Sequence, residues 1–485
     1  MSADLVAPEG DGEPDTGPTV ATTTSSRREL EVADHLDALM HRRRGRAPRG
    51  THRMAALCRE LGDPQRDIPT VHVAGTDGKS SIVRIIGSLL TSLGYRTGET
   101  TSPHLQEVTE RIRIDGAQVT RSELLAGLAV LEPVIGRAEE AVGEPVTFFE
   151  AITALALRRF AEEPVDAAVV EAGIGGVGDA TNVVDSRVAV LSLVGRDHAE
   201  LGDTLGEVAA EKAGIVTPGG VVVSAAQRSE ALEAIERVVA ERGGQVLLAD
   251  RDLGVMARRP GAGGQYVDLR GLDDTHLRGW LPLVGAHQAA NAAVAFATVQ
   301  RFLGTTDLDQ HDLRTGLAAV RLPGRVEVVR PSVGPTIVLD GAHDREAARA
   351  LAQTVGVTLQ PSGVTIVLGV SGGRDPGPLL SELAALDGIA GSPVEVVVTQ
   401  ASSPTSMPVR ELARRVRRGG FRVTVASDPE VAVQAAARTT PVAGCLVVTG
   451  SLHLVGEVRG LVTASWADGA DDATVGGRAR MPLVS

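Results

Sequence analysis

The chain has 485 residues, 43% of them hydrophobic, with 48 basic against 61 acidic side chains and a net charge of −13. That length supports two or three domains with cores of their own. The acidic balance disfavours non-specific binding to nucleic acid or to an anionic membrane surface. Two cysteines far apart, Cys58 and Cys445, form no CxxC or Cys/His cluster, so neither a disulfide framework nor a structural zinc is expected and a reducing cytosol fits. No apolar stretch approaches the roughly 18 residues of a membrane span, and the first residues lack the order of a signal peptide, so the expected location is cytoplasmic.

In chain order, residues 1–27 are Gly, Pro, Ser, Thr and acid with almost nothing to bury; a disordered tail is expected. The run HRRRGRAPRG (41–50) reads as a solvated basic loop ending a helix. From there, apolar runs of strand length alternate with segments of helical period, which predicts α/β domains with largely parallel sheets. PTVHVAG, VDAAVVEAG, RVAVLSLVG and GGVVVSA are the strands of a first domain, 28–324. Short alternating pieces with Gly-rich turns between about Gly254 and Val284 predict a small antiparallel patch. A Pro- and Gly-containing linker (325–335) precedes a restart of the βα alternation over 336–463, a second, smaller Rossmann-like domain, and 464–485 is a second loose tail.

Three stretches carry chemistry. In VHVAGTDGKSS (71–81), Gly75 and Gly78 allow close backbone approach and Lys79 opens a helix whose free N–H groups favour an anion, naturally a phosphate. Ser80 and Ser81 add the hydroxyls that phosphate and its magnesium use. A strict P-loop needs Gly at position 73 and finds Val73, so a plain strand-to-helix turn stays open on pattern alone. EAGIGGVGDATNV (171–183) sets Glu171 at a strand's carboxyl end beside glycines, where open α/β sheets bind ligands. GRDHAELGDTLGEVAAEKAGI (195–215) sets Asp197 and His198 at another strand end, with Glu211 and Lys212 on the following helix.

With TSPHLQEVTERIRIDG, TFFEAITALAL, GAHQAANAAVA, LPGR, LDGAHD and VTGSLHLVGEVR in this order, the chain over about 52–463 resembles the folylpolyglutamate synthase/dihydrofolate synthase family of the Mur ligase superfamily. The resemblance implies an ATP-dependent amide ligase that converts a carboxylate to an acyl phosphate and joins it to an amino acid, glutamate in that family. Gly75, Thr76, Asp77, Gly78, Lys79, Ser80 and Ser81 are then the triphosphate turn, with Asn291 near adenine, Arg325 near phosphate and Asp340 near ribose. Ser102 and Glu171 hold one Mg²⁺. His198 and Lys212 help a second, Lys212 as a carbamate that turns a cation into an anionic oxygen ligand. His343 and Ser451 serve the incoming amino acid, and Phe149 and Asp179 the pterin-type acceptor. Lys79, His198 and Lys212 are the implied catalytic set, and the enzyme is expected to be a monomer working on small molecules without nucleic acid or membrane.

The sequence also departs from the family. Asp77 stands where Asn is usual, and an outward or cation-paired Asp77 is expected. Val177 replaces a common Arg or Lys, Asn-Pro is missing after His343, and SGGRDPG (371–377) lacks an Asp-Lys-Asp segment. Two alternatives therefore stay open beside ligation of glutamate to dihydropteroate or tetrahydrofolate. One is a related ligase for a different carboxylic acid in a specialised pathway, the other a non-catalytic nucleotide-binding regulator.

Overall fold

The computed structural model describes residue 39 and residues 49–196, 199–389 and 393–466. The expected tail 1–27, the expected tail 464–485 beyond residue 466, and the basic run as far as residue 48 lie outside the described residues.

The larger sheet has eight strands in the order β4-β3-β2-β5-β1-β6-β7-β8: β1 (Thr70–Ala74), β2 (Thr97–Thr100), β3 (Ile112–Ile114), β4 (Ala117–Gln118), β5 (Ala167–Glu171), β6 (Ser186–Leu191), β7 (Val221–Ser224) and β8 (Gln245–Leu248). Pairing from β2 through β8 is parallel, whereas β3 and β4 turn back antiparallel. β1 and β5 are buried along their whole length, as strands covered by helices on both faces must be. Helices Lys79–Ser92 and Ala286–Leu303 pack on one face through Ile82, Ile86, Phe296 and Val299, while Phe148–Glu162 packs on the other through Ile152, Leu155 and Phe160.

The antiparallel patch is a three-stranded sheet, β11-β10-β9, of β9 (Gly254–Gly261), β10 (Gly264–Arg270) and β11 (His276–Leu281). A second α/β sheet follows, ordered β12-β13-β17-β14-β15-β16: β12 (Glu327–Val329), β13 (Thr336–Leu339), β14 (Val364–Leu368), β15 (Glu395–Val398), β16 (Arg422–Val425) and β17 (Cys445–Thr449). The segment expected to be linker thus contributes an edge strand, β12, antiparallel to β13. Val328 packs against the second domain's core and Arg459 clasps Glu327 at 2.9 Å, which holds the short strand in place. Helix Leu452–Trp466 runs three residues into the expected tail, 464–485. Among the described residues no helix is long and apolar enough to cross a membrane.

Candidate active site

In-register pairing fixes what meets at the carboxyl edge of the large sheet. Val73 pairs with Glu171, Ala74 with Leu191 and Thr100 with Val170, so the residues after each strand open into one crevice. In the second domain β13 runs into Asp340. Between the two lies a cleft of about 810 Å³, lined from the first domain by Lys79, Glu171 and Phe149 and from the second by Asp340, His343 and Arg374.

The turn after β1 fits a phosphate. Gly75 and Gly78 have φ of 135° and 94°, and a Cβ would meet Ser192 Oγ at 2.0 Å from Gly75 and Asn291 Oδ1 at 2.7 Å from Gly78; only glycine serves at both. Thr76 and Asp77 already donate their N–H to Leu193 O at 2.9 and 3.2 Å, which leaves the first turn of helix Lys79–Ser92 as the anion's donors. Lys79 Nζ donates to the carbonyls of Gly75 (3.2 Å) and Thr76 (3.0 Å). Ser81 is largely buried but also lines the cleft. Asn291, on helix Ala286–Leu303, is held by Gln288 at 3.3 Å and lines the cleft beside Gly78.

Glu171 is buried with both oxygens engaged: Ser80 Oγ donates to them at 3.0 and 2.9 Å, and Ser102 N donates at 3.1 Å. Burial pushes its carboxyl up, while Lys79, the Ser80 and Ser102 donors and Arg325 pull it back. One buried carboxylate beside the Ser80 hydroxyl and the Ser102 backbone suits Mg²⁺, a hard cation that keeps waters and takes substrate phosphate oxygens. No group of three or more His, Cys, Asp or Glu placed to hold a metal ion occurs among the described residues, and a magnesium site needs none. Lys212 is one of the largest fully buried side chains, and its Nζ donates to Gly75 O at 2.8 Å, directly beneath the turn. Asp197 and His198 lie outside the described residues.

Asp77 departs from expectation. It neither turns outward nor pairs with a cation: Oδ2 is buried with no hydrogen-bond partner. Burial and the neighbouring Asp344 push its carboxyl up to about 7, with Glu346 adding and Lys79 and Arg325 opposing. In its neutral form Asp77 would offer an O–H where an Asn offers an N–H. Asp77→Asn should therefore tighten ATP binding up to tenfold, about 1.4 kcal/mol, near pH 8, where the acid is charged, and change it little near pH 6. ATP titrations at both pH values and several Mg²⁺ concentrations check this; a variant weaker at both, with less Mg²⁺ sensitivity, would make Asp77 a metal ligand.

From the second domain, Asp340 accepts N–H groups of Val326 (2.7 Å) and Ala342 (2.8 Å); burial raises its carboxyl while Arg325 opposes. His343 Nδ1 donates to Gly341 O at 2.9 Å, and burial lowers the pKa of its ring. Ser451 is not brought to the cleft. Its Oγ accepts from His453 N (3.1 Å) and Leu454 N (3.4 Å), capping the helix that starts at Leu452.

Phe149 and Asp179, expected to serve the acceptor, both line the cleft. Val177 is exposed. Sequence reasoning missed the arginines here. Arg49, from the basic run, lines the cleft and pairs with Glu211, which also accepts Gly178 N at 3.1 Å. Arg53 is buried against Glu150 (2.9 Å) and Glu144 (2.5 Å). Arg111 lies 5.1 Å above the Phe148 ring and donates to His104 Nδ1 at 2.9 Å; burial lowers it to about 10. The only available signal for Arg111 was its place within TSPHLQEVTERIRIDG.

Comparison with known proteins agrees with this geometry. Residues 73–299 match the Mur ligase middle domain and 324–452 the Mur ligase glutamate ligase domain. The dihydrofolate synthase/folylpolyglutamate synthase of Mycobacterium tuberculosis is 38% identical over 446 residues, 84% of this chain and 89% of that one. The chain belongs to the folylpolyglutamate synthase/dihydrofolate synthase family of Mur ligases. The folylpolyglutamate synthase of Lacticaseibacillus casei is 32% identical across 85% of this ligase and 94% of its own length. A structure of Mycobacterium tuberculosis folylpolyglutamate synthase complexed with ADP and AMPPCP superposes with a TM-score of 0.82 at 35% identity, covering 91% of this chain and 99% of that one. The protein is an ATP-dependent ligase, and the regulator alternative is set aside.

Proposed function

We propose that this ligase joins glutamate to the carboxyl group of a folate-type acid, dihydropteroate or tetrahydrofolate, through an acyl phosphate. The single cleft carries the proposal: the phosphate turn, Glu171 and the Phe149–Asp179 end open into it from one domain and His343 from the other. A carboxylate repels nucleophiles. Transfer of the γ-phosphoryl group of ATP removes that charge and supplies a leaving group, after which the amine of glutamate attacks the carbonyl and phosphate departs.

In this reading Lys79 swings from its two carbonyl acceptors to the β and γ phosphates, with Asn291 against adenine, Asp340 at ribose and Arg325 at phosphate. Ser80, Ser102 and Glu171 would hold one Mg²⁺, and His198 with carbamylated Lys212 a second; bound there, the ions spread the charge of the transferring phosphoryl group. Phe149 offers a face and Asp179 a carboxylate to the acceptor. His343 lies where the amine enters, and Ser451 acts on the amino acid only through the helix it caps. ADP release measured with glutamate and, in turn, dihydropteroate, tetrahydrofolate and unrelated carboxylic acids tests this. Turnover confined to the folate-type acids supports it. Turnover with an unrelated acid alone would favour the specialised-pathway alternative, for which the arginines at the acceptor end and a chain of only six Phe, two Tyr and two Trp are the argument.

A further inference from the structure

His72 lies in the middle of β1, the strand that delivers the phosphate turn, and is wholly buried. Its Nε2 is 2.8 Å from Thr181 Oγ1. Thr181 Oγ1 donates to Asp179 Oδ1 at 2.5 Å, Thr181 N donates to the same oxygen at 2.9 Å, and Ile174 N holds Oδ2 at 2.7 Å.

Proton positions along this chain follow from valence. A hydroxyl has one proton and a carboxylate only accepts, so Thr181 gives its proton to Asp179 and takes one from His72. His72 is then the Nε2–H tautomer, and its Nδ1 is buried with no hydrogen-bond partner. A second proton would be a buried donor without an acceptor, in keeping with burial lowering His72 to about 3.

A carboxylate has about four lone-pair sites. Three are filled on Asp179, which leaves one on Oδ2. A Cβ on Gly173 would lie 3.3 Å from that oxygen and 2.8 Å from Phe149 Cζ. Glycine at 173 thus keeps the space between the ring and the carboxylate open.

We propose that His72 is a positioning residue for acceptor recognition: its Nε2–H locks Thr181 as a donor to Asp179, so that the remaining lone pair of Oδ2 accepts an N–H of an acceptor acid lying against Phe149. The proposal rests on the reading that Asp179 and Phe149 contact the acceptor. It makes the strand that feeds the phosphate turn also the strand that steadies the acceptor's anchor, and it explains a histidine in an otherwise apolar strand interior.

Three variants of the full chain test it, assayed for kcat and for KM toward tetrahydrofolate or dihydropteroate and toward ATP. His72→Leu removes the donor, His72→Gln replaces it with an amide N–H, and Thr181→Val removes the hydroxyl at constant shape. His72→Leu and Thr181→Val should raise the acceptor KM about tenfold or more with the ATP KM within about twofold, while His72→Gln stays within about threefold of wild type. If Gln behaves like Leu, or if both KM values rise together, the role is packing and the proposal falls; should His72→Leu not fold, the other two variants decide. ¹⁵N NMR of the His72 ring gives a readout independent of turnover. A single Nε2–H tautomer that does not titrate between about pH 5 and 8 is expected, and an Nδ1–H tautomer or a titrating ring would overturn the hydrogen-bond chain. A wild-type enzyme that turns over no folate-type acid while His72 stays Nε2–H would instead sink the functional reading, and with it this role for the chain.

Discussion

Glu171→Gln should lower turnover by at least about 10³-fold, equivalent to about 4 kcal/mol of transition-state stabilisation, while the protein stays folded. The side chain ends β5 at the carboxyl edge, buried at the floor of the cleft. Gln matches its volume, so no core cavity opens. What changes is charge: Ser80 Oγ and Ser102 N both point hydrogens at this carboxylate, and an amide answers them with only one acceptor oxygen. Loss of the anion also removes the carboxylate that, among the described residues, contacts both serines and would hold a divalent ion. Steady-state rates with Mg-ATP, alongside thermal melting and metal-free nucleotide binding, check this. A folded variant that keeps a near-normal rate would show that Glu171 does not serve the metal.

Lys212→Ala should cost a comparable factor and, unlike Glu171→Gln, should answer to chemistry added from outside. A lysine is buried under the turn, donating to Gly75 O, and a protonated amine there would repel the second cation proposed above. As a carbamate it becomes an anionic oxygen ligand instead, formed when neutral amine takes up CO₂. Wild-type activity depleted by degassing at acid pH should then return on adding bicarbonate, and Lys212→Ala should regain about tenfold or more with short-chain carboxylic acids, about 1.4 kcal/mol of restored stabilisation. ¹³C NMR after exposure to ¹³CO₂ reads the carbamate directly. Absence of that signal in active enzyme, together with a variant indifferent to added acids, would end the idea.

The parts of this site that were legible in sequence are those written in hydrophobicity and glycine. Val71, Val73 and Ala74 are fully buried and run into a turn that only Gly75 and Gly78 can make, so strand, turn and helix were readable together. The antiparallel patch and the restart of βα alternation were readable for the same reason. β2 was not: Thr97, Glu99 and Thr100 are buried polar residues, with Glu99 satisfied by Arg84 at 2.7 Å, and a buried ion pair looks like a surface loop when burial is judged from polarity. β12 was hidden by its Pro- and Gly-containing surroundings, because an edge strand of three residues is set by its neighbour β13 and by Arg459. Side-chain commitments were the least legible. Nothing local marks Ser451 as a helix cap, Arg49 as a cleft residue paired with Glu211 162 positions away, or Asp77 Oδ2 as buried without a hydrogen-bond partner.

The central claim, that the acceptor's carboxylate is phosphorylated in this cleft before glutamate attacks, is tested most directly by isotope transfer. A folate-type acid labelled with ¹⁸O in both carboxylate oxygens, incubated with the enzyme, Mg-ATP and glutamate, should deliver one ¹⁸O to each inorganic phosphate released, since the oxygen bridging carbon and phosphorus leaves with phosphate. Mass spectrometry of the phosphate reads the result, and amide product formed with no ¹⁸O in the phosphate would contradict the account.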